Sequence, residues 1–271
     1  MNKIKTLTAV LLALLFTTLL ISGCQTILVS KNGETETGET ETRQYDFSEF
    51  TRVDISSAFS YEIMQSDTYS ISITANNNLF DDIKVAKEGQ TLIIGMEIPG
   101  APWAVFNNNP NIKAVITMPQ LQGLDSSGAT HGIVADFSST EKLDVTASGA
   151  SSVEFVEIIA ADTAFDVSGA SEVTGDIEAE NMELEVSGAS TVQLKGSANS
   201  LAVDGSGASH LKLADLKVGN ADVTLSGASD ATINLAGRLD ADLSGASTLE
   251  YIGEPTLGIM DTTGASTVKR K

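Results

Sequence analysis

Leu184-Glu185-Val186-Ser187-Gly188-Ala189-Ser190 returns one repeat later as Val203-Asp204-Gly205-Ser206-Gly207-Ala208-Ser209. The tripeptide Ser/Thr-Gly-Ala occurs eight times, with its glycine at Gly128, Gly149, Gly169, Gly188, Gly207, Gly227, Gly245 and Gly264. The spacings run from 18 to 21 residues, and every copy is followed by Ser or Thr. Four residues before each glycine stands an apolar residue, as in Leu124, Val145, Phe165, Leu184, Val203, Val223, Ala241 and Met260. Apolar pairs such as Val192/Leu194 and Leu211/Leu213 continue the alternation after it. A period of two with frequent β-branched residues is a strand signal. Glycine and serine at the centre of each pattern exclude helix. A unit this short cannot bury its own apolar face, so it must stack on its neighbours as a solenoid. The expected fold is all-β: a single-stranded parallel β-helix of about 18–21 residues per coil, with strands roughly 4.8 Å apart.

Each motif glycine is read as a corner, where the chain needs φ > 0 or a backbone free of Cβ crowding. Two corner geometries are open. Strict alternation puts glycine and the following Ser/Thr inward, whereas a bend at glycine turns alanine inward and leaves both hydroxyls outside. The bend is preferred, because a column of eight buried hydroxyls would need eight partners. Between Phe47 and Gln120 the chain is longer-looped. Strands are expected at Tyr61–Ile63, Tyr69–Ile73, Leu92–Met96 and Ile112–Met118, forming wider first coils that cap the N-terminal end. The insertion Pro99–Pro110 carries Trp103 and Phe106 and is expected to pack over the solenoid side, a binding tip being the alternative.

The N-terminus reads Met1-Asn2-Lys3-Ile4-Lys5, then an apolar run from Leu7 to Ile21, then Ser22-Gly23-Cys24. The run falls short of the ~20 residues that span a bilayer and reads as a secretory signal, residues 1–23. Leu20-Ile21-Ser22-Gly23-Cys24 resembles the lipobox of bacterial lipoproteins, which implies that Cys24 is acylated and becomes the first mature residue. Gln25 follows, so the aspartate of an inner-membrane retention signal is missing. Residues 24–44, with Gly-Glu-Thr-Glu-Thr twice in tandem from Gly33 to Thr42, are read as a disordered, self-repelling tether. The β-helix domain then occupies 45–271.

Recurrent Ser-Gly-Ala-Ser strands after Phe50-Thr51-Arg52-Val53-Asp54-Ile55-Ser56-Ser57-Ala58 resemble the head GIN domain family (DUF2807), described as autotransporter adhesins. The opening stretch looks like a degenerate repeat with Ser57 in the glycine position. The resemblance covers about Phe47 to Lys271 and implies a right-handed β-helix on the cell surface or in the periplasm.

The chain carries 36 acidic and 16 basic residues, a net charge of −20. That excludes a nucleic-acid partner, which needs a basic face. A lone cysteine excludes a disulfide scaffold. Three residues before the motif glycines lie Asp125, Thr146, Asp166, Glu185, Asp204, Thr224, Asp242 and Asp261, an acidic column. It is read as a solvated face that blocks lateral aggregation; Ca²⁺ bound through carboxylate oxygens and a glycosidase pair such as Asp204 with Asp242 are the alternatives. His131 and His210 share a column roughly 19 Å apart at strand spacing and cannot form one metal site. Thr191, His210 and Asp230 mimic a nucleophile, base and orienting acid, in a column that otherwise looks like variable surface. No catalytic, cofactor or metal residue is assigned. The reading is a non-enzymatic surface adhesion, binding or envelope-structural module, extracytoplasmic and lipid-anchored to the cell membrane or outer membrane through Cys24, with envelope polysaccharide or a surface protein as partner. The alternative is a polysaccharide-binding or polysaccharide-cleaving β-helix.

Overall fold

The alternation around each glycine becomes strands that run from one corner to the next. In the computed structural model, which describes residues 39–97 and 111–271, Ser152–Val167, Glu172–Val186, Thr191–Gly205 and His210–Leu225 each form nearly a full coil. Neighbouring coils pair in parallel, and the register places Val145, Phe165, Leu184, Val203, Val223, Ala241 and Met260 in one continuous column. All but Met260 are buried, so the core is a stack of mostly aliphatic side chains with an occasional aromatic ring such as Phe165. The fold is a parallel β-solenoid, with no α-helix among the described residues.

The corners follow from φ. All eight motif glycines lie between +73° and +82°. Each following alanine donates its N–H to the glycine carbonyl one coil below, as Ala189 does to Gly169 at 2.8 Å. Ser57 takes the same place with φ 78, and the Ala129 N–H reaches its carbonyl at 2.6 Å. The stretch around Phe50–Ala58 is therefore a true coil whose corner lacks glycine.

The direction of the bend overturns the preferred sequence reading. Alanine faces solvent, and it is the Ser/Thr after it that turns inward: Thr130, Ser151, Ser171, Ser190, Ser209, Ser229 and Ser247 are at most 2% exposed. The hydroxyls do find partners, which the objection to burying them overlooked. Ser171, Ser229 and Ser247 donate to the carbonyl three residues back, that of Ser168, Ser226 and Ser244, at 2.8–2.9 Å. Ser151 bonds Ser171 and Ser209 bonds Ser229 along the column, at 3.3 and 3.1 Å. The inward hydroxyls are thus met either by the carbonyl of their own corner or by a neighbouring hydroxyl or backbone N–H, and the polar ladder is satisfied within the core. Ser229→Ala is expected to cost about 1–2 kcal/mol in urea unfolding, because it removes one donor from a buried ladder. Ala228→Ser, on the exposed side of the same corner, is expected to be neutral.

The N-terminal region differs from the expected wide coils. Ser70–Asn76 pairs antiparallel with Lys113–Met118, and Ile83–Glu88 antiparallel with Thr91–Met96 around Gly89. Reversed strands do not offer the next coil a parallel template, which closes this end of the stack. The tether reading fails for its last residues. Thr40–Tyr45 is a strand, antiparallel to Ser70–Asn76, so order begins ahead of residue 45. It shows no apolar periodicity because it is exposed on nearly every residue; backbone pairing holds it, with the Thr42 and Thr74 hydroxyls 2.8 Å apart and the Arg43 guanidinium 4.1 Å over the Phe80 ring. The signal, Cys24, most of the tether and Trp103 lie outside the described residues.

Candidate binding surface

Strand periodicity projects every second residue outward, and in-register stacking turns those positions into columns. The acidic column is continuous as the sequence placed it: Asp125, Thr146, Asp166, Glu185, Asp204, Thr224, Asp242 and Asp261 pair coil by coil. The degenerate first coil adds Asp54, paired with Asp125. Burial, and then the charge of Asp125, push the Asp54 carboxyl above its ordinary range. Among the described residues, no group of three or more His, Cys, Asp or Glu is arranged to hold a metal ion.

The raised Asp54 carboxyl gives a signed pH dependence. Folding binds that proton more tightly than the unfolded chain does, so the stability it confers is full below the ordinary value of 3.8 and is lost as pH rises through the raised one. Asp54→Asn is expected to raise the urea midpoint at pH 7 and to flatten its dependence between pH 4 and 7. An unchanged slope would show that the column carries no such strain.

Two further columns lie on the same face, seven and five residues before the motif glycine. The first runs Lys142, Asp162, Asn181, Ser200, Asn220, Arg238; the second Asp144, Ala164, Glu183, Ala202, Asp222, Asp240. Residues of both line an open groove of about 570 Å³ along the solenoid. Its wall is a hydrogen-bonded ladder. Asn181 Nδ2 donates to Asp162 at 2.7 Å, Ser200 Oγ donates to Asn181 at 2.5 Å, and Asn220 Oδ1 accepts the Arg238 backbone N–H at 2.8 Å. Ion pairs close both ends. Lys142 lies 2.9 Å from Asp144, and Arg238 grips Asp240 with two bonds of 2.5 and 2.6 Å. The Arg238 guanidinium, helped by the Ile259 N–H, holds the Asp240 carboxyl down at about 2. Between the ends, exposed Ala202 leaves a gap between Glu183 and Asp222. Arg52 uses a similar gap, passing over Gly123 to reach Asp144 at 3.4 Å, where a Cβ on Gly123 would lie 2.3 Å from the guanidinium carbon.

Sequence reasoning missed this groove, although the offset of seven from the glycine was there to be read. Lys142 and Arg238 stand far apart in the chain, and only stacking brings them to the two ends of one acidic groove. His210 and Asp230 are brought together, with Nδ1 2.5 Å from the carboxylate. Thr191 neighbours His210 in register but shares no hydrogen bond with it among the described residues, so of the mimicked triad only the exposed His210–Asp230 contact is formed. His131 pairs with Ser152 four coils below His210, too far to share a ligand. Lys269 and Lys271 are met by Glu250 of the adjoining strand Thr248–Ile252, and Arg270 by Glu254 just beyond that strand.

The sequence pattern of the family described as "DUF2807: Putative auto-transporter adhesin, head GIN domain" matches residues 49–255. The chain belongs to that family. The DUF2807 match starts one residue before Phe50 and takes in the degenerate coil and seven of the eight motif corners. Solved structures agree on the fold. A Parabacteroides distasonis protein described as a "putative lipid binding protein" superposes with a TM-score of 0.76 at 21% identity, covering 86% of this chain and 97% of its own. A "putative adhesin" from Parabacteroides merdae gives 0.76 at 17%, covering 86% and 97%. One from Bacteroides fragilis gives 0.67 at 21%, again covering 86% and 97%. No curated protein matches the chain.

Proposed function

We propose that this DUF2807 chain is a non-enzymatic adhesion module of the bacterial envelope, held outside the cytoplasm by an acylated Cys24. The observation that carries the reading is the family match across nearly the whole solenoid, together with polar columns that repeat in register along its length. Such columns present polar groups at the regular spacing of the coils, carboxylates above all in the acidic column, which suits a repetitive surface and gains strength from many weak contacts. The basic start, apolar run and Ser22-Gly23-Cys24 support the anchor. With a net charge of −20, acyl chains rather than electrostatics would hold the protein at an anionic membrane.

A glycan is the partner class favoured by the groove, which joins acids, amides and cations along one face. Of the groove's acids, Asp240 is held as an ion by Arg238 and is no proton donor near neutral pH. The anchor is tested by metabolic labelling with an alkyne fatty acid, where Cys24→Ser is expected to abolish labelling and release the protein from membranes. Adhesion is tested by attaching the soluble fragment from residue 39 to beads and measuring retention on envelope polysaccharide and on whole bacteria. Retention no greater than that of uncoated beads on every surface would overturn it.

A further inference from the structure

We propose that the groove between Lys142 and Arg238 binds an extended glycan bearing free hydroxyl and amino groups and no acid groups, lying parallel to the solenoid axis. The inference rests on the adhesion reading and names its site.

Length is the first argument. The groove spans the six coils from Lys142 to Arg238, roughly 24 Å at about 4.8 Å per step. One coil is close to the length of one pyranose ring in an extended chain, so successive rings meet successive coils. The ion pairs at either end, Lys142 with Asp144 and Arg238 with Asp240, delimit a window with no cation inside it.

Chemistry is the second. Within the window the wall offers planar amides and a hydroxyl, Asn181, Ser200 and Asn220, while Glu183 and Asp222 face the groove without a hydrogen-bonded or ion-paired partner among the described residues. A carboxylate with both oxygens open accepts from neighbouring hydroxyls of a sugar or from an amine. Ala202, between those two carboxylates, supplies the depth: any larger side chain there would fill the place a ring would take. The acids outnumber the cations, Asp162, Glu183, Asp222 and Asp240 against Lys142 and Arg238, so uronate, sulfate and phosphate groups are repelled. Without an aromatic platform among its lining residues, the groove binds each chain weakly and depends on the multiplicity of a surface.

The test titrates the fragment from residue 39 with a β-1,4-linked glucosamine hexamer by NMR or calorimetry, beside a galacturonate hexamer and spermine. Saturable binding of the glucosamine hexamer is expected, with none of the galacturonate. Ala202→Tyr is expected to weaken it by about tenfold or more, and Glu183→Gln with Asp222→Asn to do likewise, each with the urea midpoint unchanged because these side chains point outward. Spermine bound as tightly as the hexamer would overturn the glycan assignment in favour of simple counterion binding. No binding, or Ala202→Tyr binding as wild type, would overturn the site. Adhesion of beads that survives Ala202→Tyr would sink the groove while leaving the adhesion reading intact.

Discussion

Gly188→Val is expected to lower stability by about 3 kcal/mol or more, seen as a large fall in the urea midpoint of the folded fragment. Two effects combine. The left-handed conformation costs a residue with a β-carbon about 1–2 kcal/mol, and at φ 74 Gly188 sits squarely in it. A Cβ there would also lie 2.4 Å from the Gly169 carbonyl oxygen and 3.0 Å from its nitrogen. Those atoms are backbone of the coil below, and the same oxygen accepts the Ala189 N–H at 2.8 Å. The clash therefore cannot be relieved by a side-chain rotation; the coils must separate, adding overpacking strain of about 1–3 kcal/mol. Ala189→Ser, one residue on and exposed, should leave the midpoint in place. A Gly188→Val midpoint within error of wild type would show that coil spacing at the corner is soft.

The same corner shows how far the sequence could be read. Eight Ser/Thr-Gly-Ala copies with apolar residues four places earlier determine strand, stacking and register, because each rests on a local periodicity repeated many times. The direction of the bend was not determined, since alternation and bending place the same residue types on opposite sides. The choice turned on whether a buried hydroxyl finds an acceptor, and the acceptor is the carbonyl three residues back in its own turn, as between Ser247 and Ser244. Thr40–Tyr45 was illegible for a different reason: a strand exposed on both faces carries no hydrophobic signal. The acidic column was read residue by residue, Asp54 excepted. The groove was missed because its two cations belong to coils that only stacking aligns.

Tyr61→Ala is expected to cost about 3–5 kcal/mol, the range for deleting a large buried aromatic side chain, and the reason lies in a gap left by the repeat. Tyr61 is 2% exposed and pairs in register with Gly132, which in turn pairs with Val153. From Val153 the inward column continues through Val173, Val192, Leu211, Ala231 and Leu249. Gly132 interrupts it, and the Tyr61 ring occupies the vacancy: a Cβ on Gly132 would lie 1.9 Å from the ring carbon that bears the hydroxyl. That hydroxyl donates to Ser126 at 3.0 Å, and Ser126 meets Thr130 at 2.7 Å, so the ring also ties the N-terminal coil to the start of the buried hydroxyl ladder. Tyr61→Phe keeps the packing and leaves Ser126 its bond to Thr130, so about 1 kcal/mol is expected. Gly132→Val alone should be as damaging as Tyr61→Ala, because the valine and the ring compete for one volume. Together with Tyr61→Val it should recover most of the loss, since two valines restore the ordinary column. That non-additivity, measured as a double-mutant cycle in urea, distinguishes a shared volume from two independent defects; strictly additive losses would mean that the ring does not fill the gap over Gly132.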